Sequence, residues 1–209
     1  MTTPEIAARV LQLEAEIARL EVLEAPTPVA GGGAITHLET QVLGAASAPV
    51  TFTSISQAYK HLLFVLSTRS STAGEDDVMY WYPNNVGLSN AAYHSYVSRW
   101  GGSPKVSQNV NLASLLGCNW INGNGAPTGY FTPGTLWIFN YTSIARNRVG
   151  RGQWATGKDD SAPDIEAQEG VMCSLWTNVA SAISRVDFDT QGSAWNFMIG
   201  STFSLYGVG

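Results

Sequence analysis

Three tryptophans border segments rich in glycine and asparagine, and their side chains are the best candidates for binding a ligand: Trp100, Trp120 and Trp154. An exposed indole can stack on the flat face of a sugar ring, while neighbouring Asn and Asp side chains bind its hydroxyl groups. The same indoles could instead pack between copies of the chain or beneath loops. The sequence supports these two interpretations equally.

The segments beside these tryptophans, residues 101–108, 119–131 and 151–169, are predicted to be loops. We expect them at the end of the folded domain opposite the N-terminal linker, because loops held by a rigid scaffold commonly carry binding sites. Two further tryptophans, Trp137 and Trp176, lie in strongly apolar segments and are predicted to be core residues.

The residue types of a Ser-His-Asp triad are present, but no motif places them together. The three histidines, His37, His61 and His94, are scattered, and no G-x-S-x-G motif occurs. His61 lies in an apolar segment, where a hydrogen-bonded structural histidine is the simpler interpretation than a catalytic base. The sequence therefore predicts a protein that is not an enzyme.

Two acidic clusters, at 75–77 and within 159–169, are the only sources of paired carboxylates for a glycosidase. Both fall in predicted loops, where solvated charges are the simpler interpretation. A Ca²⁺ site within 159–169 is the alternative, although the spacing does not match an EF-hand loop. No ligand pair has zinc spacing, so neither a metal nor a cofactor is predicted.

The two cysteines, Cys118 and Cys173, share no C-x-x-C spacing. They are predicted to be buried free thiols, with a disulfide between them as the alternative.

Composition excludes several functional classes. The chain is 44% hydrophobic and 11% aromatic but only 13% charged, and it contains 21 glycines, which favours an all-β domain with many turns. A net charge of −5 argues against binding to nucleic acid. No apolar run is long enough for a transmembrane helix, and the acidic N-terminus does not resemble a signal peptide. We therefore expect folding in a cytoplasm without membrane insertion.

The N-terminal segment predicts a coiled coil. Its apolar residues alternate in steps of four and three, which forms a narrow d-a-d-a-d seam: Ile6, Val10, Leu13, Ile17 and Leu20. An amphipathic helix docked on its own domain is the alternative, but that helix would need a wider apolar stripe. The heptads alone do not separate a dimer from a trimer, and we expect a parallel homotrimer.

Three regions follow from these patterns: a coiled-coil stem at 1–25, a Pro/Gly linker at 26–36 and a head domain at 37–209. Apolar and polar residues alternate or cluster as strands at 50–55, 59–68, 78–82, 93–100, 134–141, 170–176, 183–188 and 197–206. A further short strand is expected at 153–156, while 109–124 remains open between helix and strand. The prediction is an antiparallel, jelly-roll-like β-sandwich without any helix longer than about three turns.

Several short segments carry a resemblance to a known family: VTFTSI at 50–55, YKHL at 59–62, Arg69, IFNY at 138–141, ISRVDF at 183–188 and GSTFSLYG at 200–207. In these segments the chain resembles small virion proteins of tailed bacteriophages, of the tail-fibre or minor structural type. The resemblance covers about residues 36–209 and implies a short coiled coil that carries a β-sandwich head. It implies no catalytic residues.

The expected function is therefore a trimeric bacteriophage fibre that is displayed on the virion surface. It is expected to attach to other virion proteins through its N-terminal end and to bind the host surface, with a glycan as the candidate ligand. One alternative is a head fibre or capsid-decoration protein that caps a symmetric capsid site. A polysaccharide-degrading enzyme is the third hypothesis. The sequence does not separate tail from head attachment and does not identify a host ligand.

Overall fold

A computed structural model describes residues 34–85, 91–99, 105–112, 116–158, 166–177, 180–190 and 195–209 of the chain. All of these lie in one compact unit, Gly33–Gly209. The predicted coiled-coil residues Ile6, Val10, Leu13, Ile17 and Leu20 lie outside the described residues, so the stem stays a prediction.

The described part of the chain is mainly β, contains no helix and forms two antiparallel sheets. The strands are β1 (Ile35–Val42), β2 (Val50–Phe52), β3 (His61–Thr68), β4 (Asp76–Pro83), β5 (Ala91–Arg99), β6 (Lys105–Leu112), β7 (Leu116–Asn122), β8 (Thr132–Phe139), β9 (Arg148–Lys158), β10 (Glu166–Trp176), β11 (Val186–Thr190) and β12 (Thr202–Val208). The large sheet has the order β1-β12-β3-β8-β9-β10-β5-β6, and the small sheet has the order β2-β11-β4-β7.

The two sheets share a core of aromatic and aliphatic side chains. Phe64 of the large sheet lies 4.9 Å from Phe188 and 5.3 Å from Phe52 of the small sheet, measured between ring centroids in edge-to-face contacts. All three rings are fully buried. Burying a side chain of this size contributes roughly 1.5–3 kcal/mol, so this cluster is a principal link between the sheets.

Strand β3 shows how the local sequence determines which side chains enter the core between the two sheets. Leu62, Phe64 and Leu66 are buried, whereas Val65 is 41% exposed on the opposite face. Successive side chains in a strand point to opposite faces of the sheet, so alternate residues of this apolar segment enter the core. The same rule corrects the prediction for Trp137, which is half-buried on the outer face, while its neighbours Leu136 and Ile138 fill the core.

Two hairpins widen the large sheet, and one of them packs against Trp81 of the small sheet. They are β5–β6 and β9–β10, and β10 pairs with β5 so that the two hairpins join. The predicted loops at 101–108 and 151–169 are therefore wrong over their described residues, whereas the short strand predicted at 153–156 is confirmed as part of the longer β9. The open segment 109–124 forms the end of β6 and all of β7 where it is described.

Glycine explains why the first part of β9, before residue 153, was not predicted. Gly150 faces inward, and a Cβ atom there would lie 2.5 Å from Ser174 Oγ and 2.9 Å from Trp81 Cζ2. The fully buried indole of Trp81 also donates a hydrogen bond to Ser174 Oγ at 3.1 Å. Glycine lowers strand propensity, but here it makes room for a side chain from the other sheet.

Several residues that carry the bacteriophage resemblance have structural roles. A Cβ atom on Gly207 would lie 2.4 Å from the ring of Tyr59, so that ring packs directly on the backbone of β12. Arg185 forms two hydrogen bonds with Asp187 through Nε and a third through Nη2, and Thr51 Oγ1 donates to Asp187 Oδ1 at 2.5 Å. These contacts tie β2 to β11.

Candidate functional site

The structure brings Trp120 and Trp154 together, but it places them inside the domain. Trp154 is only 4% exposed and packs with Met172, and the half-buried Trp120 packs against both. The expectation of an exposed indole is therefore wrong for Trp154. The third tryptophan, Trp100, lies outside the described residues.

Replacing Trp154 with alanine is expected to destabilise the head by about 3–5 kcal/mol, because it empties a large buried volume. Trp154→Phe should cost less, since the buried Nε1 atom has no hydrogen-bond partner among the described residues. Trp195→Ala is the matched control, because Trp195 is 39% exposed and its replacement should lower stability clearly less than that of the buried Trp154. Urea unfolding of the three variants measures the difference. If Trp154→Ala were as stable as the wild type, Trp154 would again be a candidate for an exposed, ligand-binding residue.

A different group of segments forms a rigid surface at one end of the head. We call it the clasp, and it consists of residues 69–75, 122–131 and 195–201. Four backbone hydrogen bonds join the first two segments: Ser70 N to Asn122 O at 2.8 Å, Gly123 N to Glu75 O at 2.8 Å, Asn124 N to Thr72 O at 2.7 Å and Gly125 N to Gly74 O at 3.0 Å. The third segment joins them through Ser71 N to Asn196 O and Met198 N to Arg69 O, both at 2.8 Å. Loops paired in this way are rigid because their backbone groups are satisfied within the protein.

The buried side chain of Arg69 holds one loop of the clasp by hydrogen bonds. Its guanidinium donates to three backbone carbonyls of one loop, those of Pro127 and Ala126 at 2.6 Å each and that of Asn124 at 3.3 Å. Arg69 is only 4% exposed, and burial lowers the pKa of its side chain. An arginine stays charged in proteins, so each of these hydrogen bonds is charge-assisted.

The clasp displays aromatic rings to solvent. Tyr130 is 48% exposed and Trp195 is 39% exposed, and Ile199, in the same segment as Trp195, is 59% exposed. Exposed amides accompany the rings, since Asn124 and Asn196 both have exposed side chains. An aromatic face with neighbouring amides can stack on a ring of a ligand and hydrogen-bond to its hydroxyl groups.

Strand register places the clasp at the end of the head away from the linker. Ala34 leads into Ile35, which pairs with Val208, and Val208 pairs with His61 at the start of β3. The clasp follows the other end of β3, where Thr68 pairs with Thr132. Eight residues of strand separate the two ends by roughly 25 Å. We call them the linker end and the distal end.

The inserted hairpins also run toward the distal end. Lys158, the last residue of β9, pairs with Glu166, the first residue of β10, and Gln168 pairs with Arg99 at the end of β5. At the other end of these strands, Leu175 pairs with Val149, which pairs with Phe139 and so lies in the same row as His61. The expected position of the 119–131 loop is likewise confirmed for residues 123–131, which follow β7 and precede β8 at the distal end.

Tyr130 and Trp195 are not among the residues that the sequence predicts to bind a ligand. Tyr130 ends the segment Gly123-Asn-Gly-Ala-Pro-Thr-Gly129, whose turn residues predict an exposed loop and could have drawn attention to the aromatic ring that follows it. Trp195 carries no comparable local signal. Its place beside the clasp depends on pairing between segments more than 120 residues apart, as in the hydrogen bond from Asn196 N to Ser71 Oγ.

The candidate catalytic residues have structural environments. His61 Nδ1 accepts a hydrogen bond from Asn140 N at 3.1 Å, and burial, with a smaller effect of Lys60, lowers the pKa of His61. The exposed His37 bonds to Thr40 Oγ1 at 2.8 Å. The side chain of His94 lies outside the described part.

The acidic cluster at 75–77 is not a solvated loop throughout. Asp76 and Asp77 begin β4, and the buried Asp77 accepts a hydrogen bond from Ser70 Oγ at 2.6 Å. In the second cluster, Glu166 and Glu169 belong to β10, while 159–165 lies outside the described residues. Within the described residues, no group of three or more His, Cys, Asp or Glu side chains could hold a metal ion.

Cys173 carries a free thiol, as predicted, but the thiol is exposed rather than buried. The side chain of Cys118 is outside the described part. Where the chain is described, no helix is long and apolar enough to cross a membrane.

Neither a family model, nor a curated protein, nor a solved structure matches this chain. The clasp, with its exposed rings at the distal end, is therefore identified as a candidate site from its geometry alone.

Proposed function

We propose that this protein is a non-enzymatic, trimeric fibre on the surface of a bacteriophage particle, and that it binds a glycan of the host surface. Residues 1–25 form the three-stranded stem, and their N-terminal end attaches to other virion proteins. The observation that carries the binding role is the exposure of Tyr130 and Trp195 on a clasp that lies opposite the linker end. Within the head, this surface lies about one strand length from Ala34, where the described part of the chain begins.

We also infer that the head is a jelly roll with two inserted hairpins. The strands β1-β12-β3-β8 face β2-β11-β4-β7, which is the strand order of two Greek keys folded into opposing sheets. Hairpins β5–β6 and β9–β10 are then additions between successive strands of this framework. Jelly rolls occur in viral capsid proteins and in lectins, so this fold is compatible with the proposal, although fold alone does not assign function.

The chemistry of the clasp suits a weak carbohydrate site. The rings of Tyr130 and Trp195 supply apolar faces, and the amides of Asn124 and Asn196 supply both donors and acceptors. Because paired backbones and Arg69 fix the loop that carries Tyr130, little conformational entropy is lost on binding. Three such sites on each fibre, and many fibres on each particle, convert weak binding into high avidity.

Virions that carry the double variant Tyr130→Ala/Trp195→Ala test the proposal. We expect adsorption to host cells to fall at least about tenfold, because the loss of a weak contact in each head is multiplied by valency. Occupancy of the protein on the particle and the melting temperature of the head should not change, since both side chains are exposed.

The matched control is Ile144→Ala, which removes a side chain that is 64% exposed in the turn after β8, at the linker end. Its virions should adsorb normally. Normal adsorption by particles that lack the protein altogether would reject the adhesive role. If such particles instead lose physical stability, the capsid-decoration alternative would replace it.

A further inference from the structure

The large sheet has a second apolar surface, on the face opposite the core. We call it the outer face. Across four strands it carries the exposed Val65 and Val149, the half-buried Trp137, Phe139 and Tyr206, and Leu63, which is only 9% exposed. Val65 is 41% exposed and Val149 is 40% exposed, although both lie within strands of the sheet. Monomeric soluble proteins seldom leave a continuous apolar surface of this kind uncovered.

Register places five of these six residues in two adjacent rows, while Val65 lies in the next row, between Ser204 and Thr135. Tyr206 pairs with Leu63, Leu63 with Trp137, and Trp137 with Arg151, so they form one row across the sheet. In the adjacent row, His61 pairs with Phe139 and Phe139 with Val149. The rings of Trp137 and Phe139 connect the two rows, because they are stacked with centroids 5.9 Å apart and an interplanar angle of 7°.

The small sheet does not cover this surface. It packs on the opposite face, where Phe64 and Leu136 are fully buried, and the alternation along β3 and β8 keeps Val65 and Trp137 on the other side. The two rows also contain few charges, since Arg151 is the one arginine, lysine or carboxylate residue among their paired positions. An apolar face with few charges fits the core of an interface between identical subunits.

The N-terminal sequence, which lies outside the described residues, indicates that another copy of this chain covers the outer face. Residues 1–33 precede Ala34 and therefore join the head at β1, which is itself a strand of this sheet and carries the exposed Ile35. Those residues contain the heptad seam, so they would hold copies of the head together. A linker of about ten residues spans at most roughly 35 Å, which keeps neighbouring heads at a high effective concentration.

We infer that the outer face is the surface through which the heads of the trimer pack on one another around a common axis. This inference rests on the self-association in the proposed function and adds the site at which the heads meet. A stem of about 22 residues is only marginally stable as an isolated helix, so contacts between heads also explain how a short stem holds three chains together.

Cys173 supplies a direct test, because it lies on the outer face beside Arg151 and its thiol is exposed in the single chain. The full-length protein is treated with N-ethylmaleimide, and the modification rate of Cys173 is read by peptide mass spectrometry, which separates it from Cys118. We expect modification in the native trimer to be at least tenfold slower than in the urea-unfolded chain. Unfolding restores access to the thiol.

The double variant Val65→Lys/Val149→Lys should remove this protection and shift the sedimentation coefficient toward the monomer at low concentration. Lysines at exposed positions leave the fold of one head intact but place like charges between copies. Ile199→Lys is the matched control, since Ile199 is 59% exposed at the distal end and should leave both readouts unchanged. If the double variant does not fold, the rate at which N-ethylmaleimide modifies Cys173 in the native wild-type protein still shows whether the outer face is covered.

The outcomes are distinguishable. A wild-type trimer in which Cys173 reacts as fast as in the unfolded chain would overturn the inference, while the trimeric fibre would stand. A wild-type protein that is monomeric at all concentrations would overturn the trimer of the proposed function and the head interface together.

Discussion

Gly150→Ala is expected to lower the free energy of unfolding by about 3 kcal/mol, which is the upper part of the usual range for overpacking a core. The new methyl group would lie 2.5 Å from Ser174 Oγ and 2.9 Å from Trp81 Cζ2. Neither neighbour can move easily, because Trp81 is fully buried and its Nε1 is hydrogen-bonded to the same Ser174. For a domain of this size, we expect the melting temperature to fall by about 6–12 °C.

Gly44→Ala is the control for this substitution. A Cβ atom at Gly44 would meet no other atom within 4 Å, so the alanine variant should be as stable as the wild type or slightly more stable. Differential scanning calorimetry of the two variants compares them directly. Equal melting temperatures would show that the β9–β10 hairpin does not dock on Trp81 as the structure has it.

Arg69→Ala is expected to have an effect of similar size, about 3 kcal/mol, but through polar groups. It would leave the carbonyls of Asn124, Ala126 and Pro127 without their donor, and a buried unsatisfied acceptor costs about 1–3 kcal/mol where water does not replace the donor. The 123–131 loop should also lose order. Urea unfolding measures the stability, and amide hydrogen exchange within 123–131 measures the local effect.

Arg69→Lys separates geometry from charge. Lysine keeps the positive charge but lacks the planar set of donors that reaches three carbonyls, so it should recover only part of the lost stability. Full recovery by lysine would mean that the charge, rather than the three hydrogen bonds, holds the loop. In either outcome, faster exchange in 123–131 should accompany weaker cell binding if Tyr130 belongs to the adhesive surface.

Much of the strand content could be predicted because its signal is local. The apolar alternation of Leu62, Phe64 and Leu66 indicates one face of β3 without any knowledge of its partners. Gly200 adopts a φ of 89° in the turn before β12, a backbone conformation that glycine takes without strain. The β class, the antiparallel sheets and the absence of long helices in the described residues are confirmed for the same reason.

The wrong predictions concern residues whose secondary structure or burial is set by a contact with a residue distant in the chain. The sequence predicts no strand at Gly150, yet Gly150 lies in β9, and glycine is required there by the indole of Trp81, which lies 69 positions away in sequence. Trp154 was considered for the surface because its sequence neighbours are polar and small. Its burial is decided by Met172 and Trp120, which no local pattern connects to it.

The sequence by itself determined that this protein is built from β-strands, because the two-residue period and the turn residues act within a few positions of one another. The seam at Ile6–Leu20 likewise predicts self-association from spacing alone. Only the tertiary structure decided which aromatic rings face solvent. Strand register and loop pairing bring together segments that are far apart in the chain. As a result, Tyr130 and Trp195 are exposed within the clasp, whereas Trp154 is buried.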